Sequence, residues 1–197
     1  MNKWMMKILL YTAFSILLVS QAAADDKSVA EEFLKSNLDA VFTVLQKKDL
    51  SQEAKKSEVI EIVTPMFDFE LMAKLSLGKK YWPDLSPDQK ERFTELFVER
   101  LRQSYLDKLT AYTDEKVVYE APVADDKKVY LSTQLISKGN KISMLYKLYP
   151  SSNSWKIYDI EIQGVSIIRS YRSQFNELLQ KGTFDELLQK MQEPANN

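Results

Sequence analysis

The hydrophobic period of this chain changes twice, and those two changes limit its fold more than any other feature. From Ser28 to Tyr112, apolar residues recur at three- and four-residue intervals, the spacing of a buried helix face. From Lys116 the spacing becomes two, as in strands with one dry and one wet face. At Gly164 the helical spacing returns. Helices segregated from a run of strands point to an α+β domain, in which helices pack on one face of a twisted four-stranded antiparallel sheet.

The elements follow from local signals. Val29, Phe33, Leu34, Leu38, Val41, Phe42 and Leu45 form one stripe over Ser28 to Lys47, and a second helix from Gln52 to Val63 stops before Pro65. A third begins at Asp68 and closes at Gly78. Ser86, Pro87 and Gln89 make a capping box with proline at the first helical position, and Phe93, Leu96, Phe97, Leu101, Tyr105, Leu109 and Tyr112 mark one face behind it. Strands are expected at Lys116 to Pro122, Lys128 to Ser137, Lys141 to Pro150 and Ser154 to Gln163, joined by short polar turns as an antiparallel meander. In the last strand Tyr158, Ile160 and Ile162 alternate with Ile157, Asp159 and Glu161, which places the first three on the apolar face and the carboxylates in water. That strand is expected to turn at Gly164 directly into a helix carrying Val165, Ile168, Tyr171, Phe175 and Leu178, and a last helix starts at Thr183.

The first 24 residues stand apart. Lys3 and Lys7 precede an uncharged apolar run from Ile8 to Ser20, and Ala22 to Ala24 supply small residues for cleavage, the pattern of a secretory signal peptide cut after Ala24. The apolar run of 13 residues is short for a bilayer core, which needs about 20. The expected product is one exported domain over residues 25–197. Of 27 basic residues 25 then remain against 28 acidic, a formal charge of −3 with the signs interspersed, and no basic stripe favours nucleic acid.

The sequence contains neither cysteine nor histidine. Disulfides, thiolate nucleophiles, Ser-His-Asp triads and the usual ligands of zinc are therefore excluded. An exported domain without disulfides must be held by its core, which suits a bacterial periplasm. Gly164-Val165-Ser166 lacks the second glycine of a nucleophile elbow and has no histidine to activate the serine, leaving Ser166 as a helix cap. Asp159 and Glu161 have the spacing of a carboxylate pair on one strand face, but solvation is the simpler role for both.

Three segments together resemble the MlaC family, also called toluene-tolerance auxiliary proteins: FDFELMAKLSLGKKYW (Phe67 to Trp82), LSPDQKERFTELFVERLRQSYLDKL (Leu85 to Leu109) and WKIYDIEIQGVSIIRSYRSQF (Trp155 to Phe175). Their order and spacing match across essentially the whole mature chain. The resemblance implies a periplasmic phospholipid carrier that shuttles between an outer-membrane lipoprotein complex and an inner-membrane ABC transporter with an MCE-domain ring. It also implies helices on a twisted sheet enclosing an apolar pocket, with no catalytic residues, no metal and no cofactor beyond the lipid cargo.

The family supplies no signature of lipid contact, so the lining is assigned from the hydrophobic pattern: Phe67, Met72, Leu75, Phe97, Leu101, Tyr105, Met144, Tyr146, Tyr158, Ile160, Val165 and Ile168. Burying acyl chains is favourable by about 0.8 kcal/mol per methylene, so an apolar cavity is the chemistry a carrier needs. Several of these side chains can instead simply pack on one another. Lys79, Lys80, Arg169 and Arg172 are candidates for a lipid phosphate or an acidic partner surface, with solvation as the alternative. Two other functions stay open: an adaptor with a filled core that bridges envelope transport complexes, and an enzyme in a cone-shaped α+β fold.

Overall fold

A computed structural model describes residues 26–110, 116–137, 139–152 and 154–193; the expected signal peptide and Tyr112 lie outside them. Helix α1 occupies residues 26–46 and buries Ala30, Leu34, Val41, Val44 and Leu45, while Val29 falls off the stripe at 49% exposure. The Leu45 carbonyl near its end accepts from Lys55 Nζ at 2.7 Å, a buried lysine of α2 (Gln52–Val63). A cation there satisfies one of the carbonyls that a helix C-terminus leaves unpaired. Val41, Val44, Leu45 and Val59 form a small cluster where α1 and α2 meet.

The remaining helices start and stop where their caps dictate. Asp68 Oδ1 accepts from the Leu71 amide at 2.8 Å to open α3 (Phe69–Leu77), and Gly78, at φ +83°, ends it. Ser86 and Gln89 form the expected capping box, at 3.2 Å and 2.9 Å, before α4 (Pro87–Thr110). Ser166 caps α5 (Ile167–Lys181), and Thr183 with Glu186 makes a second capping box for α6 (Phe184–Gln192). Arg100 of α4 donates to the Lys190 and Glu193 carbonyls and holds the end of α6 in place.

The sheet has six strands among the described residues, not four. β1 (Lys116–Tyr119) and β2 (Val123–Asp125) both pair with β3 (Lys128–Ser137), which is followed by β4 (Asn140–Ser151), β5 (Ser154–Ile162) and β6 (Val165–Ser166), all antiparallel in the order β1-β3-β4-β5-β6. The expected first strand, Lys116 to Pro122, ends at Tyr119, and β2 follows as an additional strand beyond Pro122, which cannot donate to a ladder. Tyr119 pairs with Thr133 but Val123 with Tyr130, so the segment between them carries one residue more than β3 opposite. At the other edge the chain does not pass from strand straight into helix. Gln163 and Gly164, at φ +51° and +78°, form a two-residue reversal that pairs Ile162 with Val165 before α5 begins.

The main core lies between the helices and one face of this sheet. Ala30 and Leu34 of α1, Met72 and Leu77 of α3, and Phe93 and Phe97 of α4 meet Val129, Leu131, Tyr146, Leu148, Trp155, Ile157 and Ile160 in one buried cluster.

A Cβ added at Gly164 would meet nothing within 4 Å, so only the left-handed backbone resists substitution there. Gly164→Ala should lower the unfolding free energy by about 1 kcal/mol, read as a lower denaturant midpoint with an unchanged slope. An unchanged midpoint would show that this reversal does not hold β6 in register.

Candidate functional site

The inner face of the sheet is a set of cross-strand rows. Val129, Leu148 and Ile157 align in one, Leu131, Tyr146 and Ile160 in the next, and Thr133, Met144 and Ile162 in a third. β5 contributes to all three only because its register slips. Lys147 pairs with Asp159 but Leu148 with Ile157, leaving Tyr158 as an extra residue at a bulge. Trp155 and Ile157 before it, and Ile160 and Ile162 after it, therefore all join the core cluster, Ile162 at its margin. Tyr158 is excluded from it. Its ring packs on Tyr149 at 6.1 Å, with Lys128 Nζ 5.5 Å from its centroid. The alternation expected for this strand is thus corrected in its first half: Ile157 faces in and Tyr158 out.

Of the twelve residues assigned to the lining, ten belong to this cluster. Met72, Phe97, Tyr146, Ile160 and Ile168 are buried in it, and Phe67, Leu75, Leu101, Tyr105 and Met144 are half-buried against it. Tyr158 lies on the opposite face, and Val165, just past the reversal at the sheet edge, is 60% exposed. Phe97 is engaged by other aromatics. It packs on Tyr171 of α5 at 5.3 Å edge-on and on Phe93 at 6.3 Å in a stack, and Phe93 meets Phe175 at 5.4 Å. These i, i+4 pairs, Phe93 with Phe97 and Tyr171 with Phe175, lock α4 onto α5. Phe93, Tyr171 and Phe175 stand on the expected helix faces but were not assigned to the lining as Phe97 was, and their spacing was the available signal.

Polar groups beside the cluster are satisfied or kept neutral. Burial pushes the Tyr146 phenol well up, with a weaker opposing hydrogen bond to Thr133, so its hydroxyl stays protonated. Asp159, expected in water, is 4% exposed because the first turn of α5 closes over it. Its carboxylate accepts from Lys147 Nζ at 2.9 Å, Ser166 Oγ at 2.8 Å and the Ile168 amide at 3.2 Å. Glu161 accepts from the same ammonium at 2.6 Å and from Arg169 at 2.8 Å. Both carboxylates are tied to one lysine, an arrangement for joining β5 to α5 and not for acid–base work. Arg172 is also committed, donating to the Leu75 carbonyl at the end of α3, and Lys80 donates to the Tyr81 hydroxyl at 2.9 Å.

A cleft of about 410 Å³ opens on another side, between α1, the 3-10 turn Thr64–Met66 and the β4–β5 hairpin. Phe33, Asn37, Met66, Ser151, Ser154 and Lys156 line it. Phe33 and Met66 belong to the main cluster, so the floor of the cleft is the edge of the core. None of the twelve assigned residues lines it. Sequence reasoning missed it because its walls come from three separate parts of the chain. Among the described residues no group of histidine, cysteine or carboxylate side chains is placed to hold a metal, and no helix is long and apolar enough to cross a membrane.

A family model described as MlaC protein matches residues 35–193. The intermembrane phospholipid transport system binding protein MlaC of Haemophilus influenzae is 28% identical over 137 residues, 66% of this chain. The chain spans 64% of that relative's length. The toluene tolerance protein ttg2D of Pseudomonas putida is 24% identical over 162 residues, 81% of this chain and 69% of its own. A phospholipid-binding protein from Ralstonia solanacearum, solved in complex with a phospholipid, superposes with a TM-score of 0.74 at 25% identity, covering 82% of this chain and 94% of that one.

Removing the Asp159 carboxylate leaves Lys147 beside Glu161 alone and strips a cap from α5. Asp159→Ala should cost about 3 kcal/mol in denaturant unfolding, and a cost below about 1 kcal/mol would contradict the clamp. Burial opposes the charge on Lys147, but the hydrogen bonds it donates to Glu161 and Asp159 outweigh that and raise its pKa above the usual 10.5. The stability that this raised pKa confers is complete below 10.5 and is lost as pH rises through the higher folded value. The stability difference between wild type and Lys147→Met should therefore be constant from neutral pH to about 10 and shrink above it.

Proposed function

Because the chain belongs to the MlaC family, we propose that it is a phospholipid carrier, non-enzymatic and periplasmic, formed by residues 25–197 after removal of a signal peptide over residues 1–24. The observation that carries the proposal is the family match over residues 35–193. The likeness to a protein solved with a phospholipid, over nearly all of that protein's length, adds support. In the carrier the acyl chains lie between α3, α4 and the start of α5 on one side and the rows of Met144, Tyr146 and Ile160 on the other. The ten clustered residues supply that lining; Val165 and Tyr158 do not, given where they sit.

The interior suits such cargo. Tyr146 is held neutral, and Met72 and Met144 are unbranched side chains that repack at small cost. Two acyl chains cannot leave a bilayer for water at a useful rate, since each methylene costs about 0.8 kcal/mol to expose. The proposed route runs between an outer-membrane lipoprotein complex and an inner-membrane ABC transporter with an MCE-domain ring. The partners dock on the folded domain and the cargo passes between apolar interiors.

An adaptor with a filled core makes the opposite forecast about mass. Native mass spectrometry of the full chain expressed with export to a bacterial periplasm should show cleavage after Ala24 and a stoichiometric excess that extracts as glycerophospholipid. A bare polypeptide mass, together with no uptake from phospholipid vesicles, would overturn the carrier in favour of the adaptor.

A further inference from the structure

We propose that the cleft between α1, the Thr64–Met66 turn and the β4–β5 hairpin is an oxyanion site that receives a phosphate group, as the phosphodiester of a bound phospholipid or as free phosphate. The lipid half of this inference rests on the carrier function proposed above; the anion half does not.

The lining sorts by chemistry. Ser151, Ser152, Ser154 and Lys156 of the β4–β5 hairpin line one side, and Asn37 of α1 lines the other. Among the described residues no carboxylate lines the cleft. Lys156 Nζ donates to the Pro65 carbonyl at 2.5 Å, which anchors the side chain over the cleft, and among the described residues no carboxylate lies within ion-pair reach of it. An ammonium has three donors, so two remain. The three serine hydroxyls make no side-chain hydrogen bond to any described residue. Asn37 is held by donation to the Phe33 carbonyl at 2.7 Å, which fixes its amide at the rim.

A cluster of unengaged donors around one unpaired positive charge favours an anion, and a tetrahedral oxyanion uses several donors at once. The floor then selects among anions. Phe33 and Met66 are apolar and continuous with the core cluster, so a ligand with a phosphate and a hydrocarbon end can satisfy the rim and the interior together. The volume of about 410 Å³ suits a glycerophosphate head and not a protein segment. Arg172 and Lys147 are unavailable for the same task, being committed to the Leu75 carbonyl and to the carboxylates of β5.

Three probes offered to the full chain and its variants test this: dioctanoyl phosphatidylglycerol, dioctanoylglycerol with the same tails and no phosphate, and inorganic phosphate. Lys156→Met keeps the apolar stem and removes the charge, and Ser151→Ala removes one hydroxyl while leaving the Lys156 anchor to Pro65 intact. Titration calorimetry should show phosphatidylglycerol weakened roughly tenfold by Lys156→Met and a few-fold by Ser151→Ala, with dioctanoylglycerol unchanged. Inorganic phosphate at millimolar concentration should shift the amide resonances of Ser152, Ser154 and Lys156 in wild type and not in Lys156→Met. Phosphate shifts without an effect of either variant on phosphatidylglycerol would assign the cleft to free phosphate. If neither variant alters phosphatidylglycerol affinity and phosphate shifts none of these resonances, the site is overturned. Should wild type bind neither lipid, the carrier function fails and the phosphate arm alone decides the anion site.

Discussion

One extra residue in β5 decides what this domain encloses. Without the bulge at Tyr158, Trp155 and Ile157 would face opposite to Ile160 and Ile162, and one pair would be turned into water, since strand side chains alternate strictly. The bulge keeps all four on the helix side. It also carries Asp159 to the position where the chain, after reversing at Gln163 and Gly164, brings Ser166 and the first amides of α5 back over β5. The apolar layer and the clamp that joins sheet to helix thus have the same origin. Leaving Asp159 unpaired at such burial would be costly, which is why Lys147, itself mostly covered, sits directly opposite.

Much of this was legible in the sequence. Caps are local chemistry, so Asp68, Gly78, Ser86 with Gln89, and Thr183 mark helix ends correctly from their neighbours alone. The two period changes gave the α+β class and the antiparallel meander. What escaped depends on contacts made at a distance. Tyr158 is amphipathic enough to fit either face, so the alternation from Tyr158 to Ile162 looked unbroken; the three-residue step between Ile157 and Ile160 was the one local trace of the bulge. Burial of Asp159 depends on α5 folding back over it, and the short strand Val123–Asp125 shows only in its pairing with β3, which β1 also joins. The cleft was invisible because residues 37, 66 and 156 meet only after folding.

The arrangement suits the proposed carrier function, which would require moving lipid through water. A carrier must hide hydrocarbon without a covalent step, and its interior must yield space without losing the fold. Rigid and yielding parts are separated here. Phe93, Phe97, Tyr171 and Phe175 interlock α4 and α5, and the Asp159 clamp fixes α5 to the sheet. Met72, Leu75, Leu101 and Met144 are flexible or only half-buried beside that lock, so they can shift around a chain while the aromatic contacts persist.

The claim that acyl chains occupy this interior is tested most directly by nuclear Overhauser contacts in protein loaded with phospholipid and labelled at its methionine methyl groups. Contacts from acyl methylenes to the methyls of Met72 on α3 and Met144 on β4 place the chains between helices and sheet, the result predicted here. Loaded protein with no contact from acyl protons to either methyl would contradict it and move the lipid to another surface.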